Sequence, residues 1–455
     1  MNFCNHFNFN QNSLDILHHI DTPKNGVTSA SFSLSSDLKP PSVNMVGCDV
    51  QALRSAQSAV VAQNLLVTFL VITMFVVTKS YYNHVRRQMA RCTVFVIGAG
   101  PTGLTSALIA SQSPHVTQVI VYEEMTKSQL IEKAHQVEFN RRSRDFLSCL
   151  GVDFDALEGC LENNIFHTRV GVFLEHLMNM LSWRVVPVTL RIGVKFSREK
   201  VSEIENYPGR KVVIASDGSS GQSARLLGLS DEFLHSSCHA FGAVASMDRT
   251  DLSSVPLAER RVHGLVFDLS AYGIELGDMD VNTGFTLKMF GSTRHRYMSL
   301  ALPRSESTLV RHMRLMLDRS MMRNIFVKCF NACKWQSEAE LTEAWALRHL
   351  KFSPRLFDIK LFQRLETVAY FQDTDMFVLV EGEAARCCNF HTGLDVNMAI
   401  SGLSTLHTTL ELAVCALTDM DIMSTMMTKS KHSESIAKQF LRTGLKQDVF
   451  THFYC

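Results

Sequence analysis

Charge of one sign, paired cysteines and tryptophan are all in short supply in this 455-residue sequence. Lysine plus arginine number 45 against 44 for aspartate plus glutamate, so there is no broad basic footprint for nucleic acid. The same balance excludes a strongly acidic, disordered chain. With 46% hydrophobic residues, there is apolar material for one large or two ordinary cores. The 12 cysteines are scattered, from Cys4, Cys92 and Cys149 through Cys238 to Cys455, and none forms a CxxC pair. Adjacent Cys387 and Cys388 cannot easily bridge. Cys329 and Cys333 lie one helical turn apart, but no second ligand pair accompanies them. They read as buried thiols in a reducing compartment, not as a metal site. No internal repeat is visible, and no Ser-His-Asp or Cys-His arrangement has a suggestive context.

What is present begins with an abrupt change of composition. Residues 1–57 are rich in Asn, Ser and His, lack periodicity and contain Lys39-Pro40-Pro41-Ser42, which predicts a flexible tail. From Ala59 to Thr78 the run AVVAQNLLVTFLVITMFVVT carries no charge. As a helix it would cross a hydrocarbon layer of roughly 30 Å, and residues 58–78 are read as a transmembrane segment. Tyr81 and Tyr82 follow at the interface position, then Lys79, Arg86, Arg87 and Arg91 supply cations that favour a cytoplasmic downstream chain. A buried soluble helix is the alternative, since Gln63 and Asn64 are awkward in lipid. A cleaved signal peptide fits poorly, because 58 residues precede Ala59.

From Cys92 onward strands alternate with helices, as in an α/β domain. VVPVTL, GVKFS and KVVIAS around 185–216 read as strands, as do GLVFDLS, GFTLKMF and RYMSLALP between 238 and 303. Residues 306–350 are helical in pattern, with Leu309, Met313, Met316 and Leu317 on one stripe. FVLVEG is a strand, 396–417 an apolar helix, and the piece after Asp419 an amphipathic helix.

The most informative unit is Val94–Glu123. The β-branched strand Thr93–Ile97 runs into Gly98-Ala99-Gly100-Pro101-Thr102-Gly103, a GxGxxG turn followed by a helix from Thr102 to about Ser111. Gly98 permits the tight turn, Gly100 lets backbone approach a pyrophosphate, and Gly103 lets the helix pack on the strand. The helix points its positive end at the phosphates. Val119-Ile120-Val121-Tyr122 ends in Glu123, placed to accept from a ribose diol, and an acid there argues against a 2′-phosphate. The unit predicts dinucleotide binding.

Two further motifs follow in order. Ser216-Asp217-Gly218-Ser219-Ser220 precedes SARLLGL; by itself Asp-Gly is an ordinary hairpin signal. FVLVEGEAARCCNFHTGLDVNMAI then carries Gly382, Glu383, Ala384, Ala385, Gly393 and Asn397. With the glycine turn, these make residues 92–420 resemble the flavoprotein monooxygenases of the p-hydroxybenzoate hydroxylase type. The resemblance implies a Rossmann-like FAD-binding domain (glutathione reductase/p-hydroxybenzoate hydroxylase type) from 92–235 and 346–420. It also implies a mixed-sheet substrate domain over 236–345, with 421–455 as a C-terminal helix and tail.

The resemblance implies FAD as cofactor and NADH or NADPH as reductant, without a second dinucleotide domain. Arg142, in the helix read from KAHQVEFNRRSRDFLSCLGV, and Arg169 would lie near FAD, unless they are ordinary surface arginines. Asp217 and Gly218 match the family's Asp-Gly turn near the cofactor. Gly382 and Glu383 match its Gly-Asp pair at the ribitol chain, with Glu in place of Asp. Gly393 and Asn397 match the loop beside the flavin ring, where Asn389 replaces a proline and Asp395 replaces a glycine. As an N-cap Asp395 is locally sensible, yet its charge opposes the helix dipole that should favour anionic reduced flavin. His391 is the one candidate for a chemically active side chain, or a histidine that simply packs. Halogenases share this fold, but their WxWxIP signature is absent; Trp183, Trp335 and Trp345 are isolated. The expectation is a membrane-anchored monooxygenase acting on a small apolar or aromatic molecule. A degenerate FAD-binding protein and a non-oxygenating flavin reductase remain open.

Overall fold

A computed structural model describes residues 47–133, 135–162, 164–249, 258–265, 285–292, 295–303, 317–387 and 394–444. The chain forms two compact units, Met1–Val76 and Val77–Cys455. One continuous helix, Gly47–Met89, contains the apolar run. Its portion Ala59–Arg86, 28 residues, is long and apolar enough to cross a membrane. At 1.5 Å per residue that is about 42 Å, more than a hydrocarbon core needs. Leu66, Phe69, Met74 and Phe75 along it are exposed.

The strands of the second unit, in chain order, are β1 (Cys92–Ile97), β2 (Val116–Glu123), β3 (Gln136–Phe139), β4 (Cys160–Glu162), β5 (Ile165–Arg169), β6 (Val188–Ile192), β7 (Arg210–Ala215) and β8 (Phe233–Asp248). There follow β9 (Ala258–Leu265), β10 (Phe285–Ser292), β11 (His295–Pro303), β12 (Leu350–Phe352), β13 (Phe357–Arg364), β14 (Val368–Phe371), β15 (Met376–Val380) and β16 (Arg386–Cys387). The first sheet has the order β14-β15-β7-β1-β2-β6 and is parallel except at β14. Its central strands are apolar on both faces, as burial by helices on either side requires. Val94 and Val96 of β1 face one core, with Leu104, Leu108, Phe173 and Leu410. Phe95 and Ile97 face the other, with Ile204, Leu227 and Val378. The second sheet has the order β16-β13-β8-β11-β10-β9, with β12 on β8. Expected as mixed, it is antiparallel in each described pairing. Its core meets Phe326 and Phe330 of the helix Arg319–Cys333. A small sheet, β3-β5-β4, completes the unit.

Some expected elements differ. Gly193 takes a positive φ of 78° and turns the chain, so GVKFS is an irregular link and not a strand; Val194 N–H donates to Glu123 O at 2.7 Å. The apolar stretch 396–417 divides into helices Leu394–Leu403 and Leu406–Cys415. In KAHQVEFNRR, Val137 and Phe139 are buried in β3, and the helix starts only at Arg141, where the Asn140 side chain caps Ser143 N at 2.9 Å. Leu309, Met313 and Met316 lie outside the described residues, as do residues 1–46. Cys92, Cys329, Cys333 and Cys387 are buried, and burial pushes Cys92 up to about 12.

Candidate functional site

Parallel strands carry their ligand sites beyond their carboxyl ends. Here the ends of neighbouring strands β1, β7 and β15 deliver Gly98, Asp217 and Gly382 to one place. Gly98 has φ +97°, and a Cβ on it would lie 2.5 Å from Ser216 O. A Cβ on Gly103 would lie 1.8 Å from Gly98 O, so only glycine lets the helix Pro101–Ala110 sit this close to the turn. Above Gly100 nothing lies within 4 Å. The first and third glycines are therefore fixed by packing, while the second faces open space. No side chain caps this helix, whose N-cap is Gly100, which leaves a dipole end suited to an anion.

Glu123, at the end of β2, leans on the turn: its Oε2 accepts from Ala99 N at 2.7 Å and Oε1 from Met125 N at 2.8 Å. Asp217 braces its own loop. Its carboxylate accepts from Ser223 N at 2.9 Å and from Ser223 Oγ at 2.5 Å. Gly218 has φ +84°, and the nearest atom to a Cβ there is Glu383 Oε2 at 3.9 Å. Gly382, φ +65°, packs so tightly that a Cβ would meet Thr102 Oγ1 at 2.4 Å. Three segments far apart in sequence thus interlock through glycines.

Beyond Gly382 the surroundings become acidic. Glu383 keeps accessible surface at the carboxyl ends of these strands. Burial raises its carboxyl, with Lys133 opposing. Asp395, in the first turn of the helix Leu394–Leu403, is pushed up to about 7, first by burial and then by Glu383, while Val396 N–H opposes and Glu138 adds a little. Asn397 is a clamp: its Oδ1 accepts from Asn140 N at 3.0 Å and its Nδ2 donates to Glu138 O at 2.7 Å. The buried Glu138 carboxylate pairs with Lys288 of β10, which joins the small sheet to the second sheet.

His135 lies against Phe357 of β13, ring centroids 6.0 Å apart. Although it keeps accessible surface, desolvation by the surrounding protein, aided by Lys133, lowers it to about 4, so it is neutral at physiological pH. Arg169 ends β5 opposite Gln136, and its Nε is buried without a hydrogen-bond partner among the described residues. Arg142 is exposed on its helix. His391 and Gly393 lie outside the described residues. Arg296 of β11 is buried with Glu338 at 2.9 Å. Lys133, His135 and Glu138 were not singled out by any motif.

No protein-family model matches the chain, and no curated protein matches it. Solved structures do. PqsL, a probable FAD-dependent monooxygenase from Pseudomonas aeruginosa, is similar at TM-score 0.50 and 14% identity, over 78% of this chain and 94% of that one. A quadruple mutant of PqsL gives the same TM-score, identity and coverage. p-Nitrophenol 4-monooxygenase PnpA from Pseudomonas putida DLL-E4 matches at TM-score 0.48 and 12% identity over 79% and 91%, and nothing below rests on it. At these identities the likeness concerns architecture: the chain has the two-sheet α/β fold of a probable FAD-dependent monooxygenase.

Proposed function

We propose that this protein is a membrane-anchored FAD-dependent monooxygenase that uses NADH or NADPH and O2 to oxygenate a small apolar or aromatic molecule. The observation that carries the reading is the interlocking of Gly98–Gly103, Asp217–Gly218 and Gly382–Glu383 at the ends of three adjacent parallel strands. The residues fit the group. Open space over Gly100 and the uncapped helix suit a pyrophosphate, and the Glu123 carboxylate, beside Ala99, would accept from a ribose diol. Glu383 keeps accessible surface next to Gly218, and the resemblance puts the ribitol chain there. The buried, unsatisfied Nε of Arg169 offers a further donor.

In this reading Gly98, Gly100, Gly103, Glu123, Asp217, Gly218, Gly382 and Glu383 hold the cofactor, with Arg142, Arg169, Gly393 and Asn397 assigned to it by resemblance. FAD, once reduced, supplies the activation of O2. The chain's own task is to bind, orient and exclude water. Residues 92–235 and 346–420 would serve FAD and 236–345 the substrate, with His391 beside the reacting ring. NAD(P)H use without a second dinucleotide domain agrees with the single GxGxxG. The helix Ala59–Arg86 supports the anchor, and Lys79, Arg86, Arg87 and Arg91 a catalytic unit on the cytoplasmic side.

The test is the full chain purified in detergent. It should be yellow, be bleached anaerobically by NADH or NADPH, and consume oxygen with substrate. Colourless protein that takes up no added FAD would overturn the reading. The acidic pair Glu383–Asp395 favours a second reading, an FAD-binding protein without turnover. Nicotinamide-dependent oxygen uptake or peroxide release would rule it out. Product analysis with labelled oxygen separates an oxygenase from a flavin reductase.

A further inference from the structure

The parallel sheet has two unlike edges. The cofactor motifs occupy the carboxyl edge. At the amino edge, the register aligns Cys92 of β1 with Val116 of β2 and Arg210 of β7, and Val119 with Val188, the first residue of β6. The link from Leu181 to Val188 therefore lies at the amino edge, beside the point where the chain enters β1. In that link Trp183 is 88% and Val185 100% exposed. An indole and an isopropyl group two positions apart in one loop, both left in water, make no contribution to the core. A further exposed apolar side chain lies at the same edge. Arg210 donates from Nη1 to Ala413 O at 2.8 Å and to Ala416 O, which fixes the corner before the helix Asp419–Gln439 at the same edge. The first turn of that helix holds Met420, 78% exposed.

The occupant of this edge follows from connectivity. The uncharged run ends at Thr78 and β1 begins at Cys92. The thirteen residues between them, helical as far as Met89, span at most about 24 Å. Whatever else the unit does, its amino edge cannot leave the bilayer surface by more than that. We infer that this edge rests on the lipid surface, with Trp183 and Val185 inserted at the interface, and that the cofactor mouth faces away. The inference rests on the reading of Ala59–Arg86 as a membrane span. Tryptophan is the side chain best suited to the headgroup level, with an apolar body and one N–H for the wet side. Arg184, Asp373 and Asp419 give this edge both signs of charge, while Lys79, Arg86, Arg87 and Arg91 lie in the chain leading to it; uncharged phosphatidylcholine therefore isolates the apolar contribution. Six residues of β1 at about 3.3 Å each put the glycine turn roughly 20 Å from this edge.

The experiment uses the full chain reconstituted in phosphatidylcholine vesicles, with and without bromine on the acyl chains, and compares it with Trp183→Phe. Wild-type emission should contain a component that brominated lipid quenches and aqueous acrylamide does not, and Trp183→Phe should lack it. Trp183 emission open to acrylamide and untouched by brominated lipid, in vesicles that keep the protein through an alkaline wash, would overturn the inference and leave the span intact. Shielding that occurs in native membranes but not in pure lipid would also overturn it, and assign the loop to a protein partner. Release of the protein by the wash overturns the span reading, and this inference with it.

Discussion

Replacing Asp395 by asparagine is the most direct probe of the ring end of the site. The carboxylate lies at a helix start, beside Glu383 and near Glu138. Its ordinary value of 3.8 is raised to about 7, chiefly by burial and then by Glu383. A folded value above the unfolded one means that the native state holds the proton more tightly. Stability from this group is then full below about 4 and declines as pH rises towards 7. Above 7 the carboxylate is ionised in both states and the penalty is constant.

Between about pH 5 and pH 8, the window covers roughly two pH decades of this decline, at most about 3 kcal/mol. Asp395 keeps partial solvent access, which screens the interaction and leaves about 1 to 2 kcal/mol. Asp395→Asn retains a polar side chain for Val396 N–H but cannot ionise. Urea unfolding of both proteins at the two pH values gives the answer. The variant should gain more than 1 kcal/mol over wild type at about pH 8 relative to its difference at about pH 5. An equal difference at both values, or a larger loss at high pH, would refute the reasoning. It would mean that Asp395 is ionised and compensated, as a capping carboxylate would be.

Other substitutions test other parts. Gly103→Ala forces a Cβ to within 1.8 Å of Gly98 O; because both atoms belong to backbone-fixed elements, we expect a loss of about 3 kcal/mol or more, read as a lower melting temperature and failure to retain FAD. Lys429→Met removes the cation paired with Glu381, both 2% exposed, and should cost about 3–5 kcal/mol; adding Glu381→Gln to it should recover much of that in chemical denaturation. Glu383→Gln should weaken FAD binding about tenfold, the value of one hydrogen bond to a charged group, measured by flavin fluorescence titration, while unfolding of the FAD-free protein changes little or improves.

The parts of the fold legible in the sequence are those that local pattern dictates. β1, its glycine turn and the helix after it follow from a β-branched run, three glycines and proline at the helix start. Gly98 and Gly103 also show why glycine is required, since the atoms they meet belong to the same unit or its neighbour strand. The Asp217 turn was legible as a turn, but its carboxylate's grip on Ser223 depends on a loop closure six residues long. Nothing local announces Lys133, His135 or Glu138. Glu138 acquires its meaning from Lys288, 150 positions away, and Asn397 from Asn140, 257 away. The C-terminal helix looked merely amphipathic, yet it buries Lys429 against Glu381 and the carbonyl of Gly402. A lysine on a helix reads as solvated until its partner strand is known.

The same long-range pairings bear on the weak point of the site. In the resembled family the helix N-terminus is free to face the flavin ring; here Asp395 takes the Val396 N–H. Positive potential must then come from elsewhere, and the structure holds two lysines near the cluster: Lys133, which opposes the raised Glu383, and Lys288, paired with Glu138. Both come from outside the Gly382–Asn397 segment, one from the chain leading into β3 and one from β10. A protonated Asp395 beside these cations leaves the ring end close to neutral, whereas an ionised one leaves it negative. On the proposed reading, the proton on Asp395 would set whether the site can hold a negative charge on the ring, and flavin affinity measured for oxidised and reduced FAD across about pH 6 to 8 should diverge as that proton is lost.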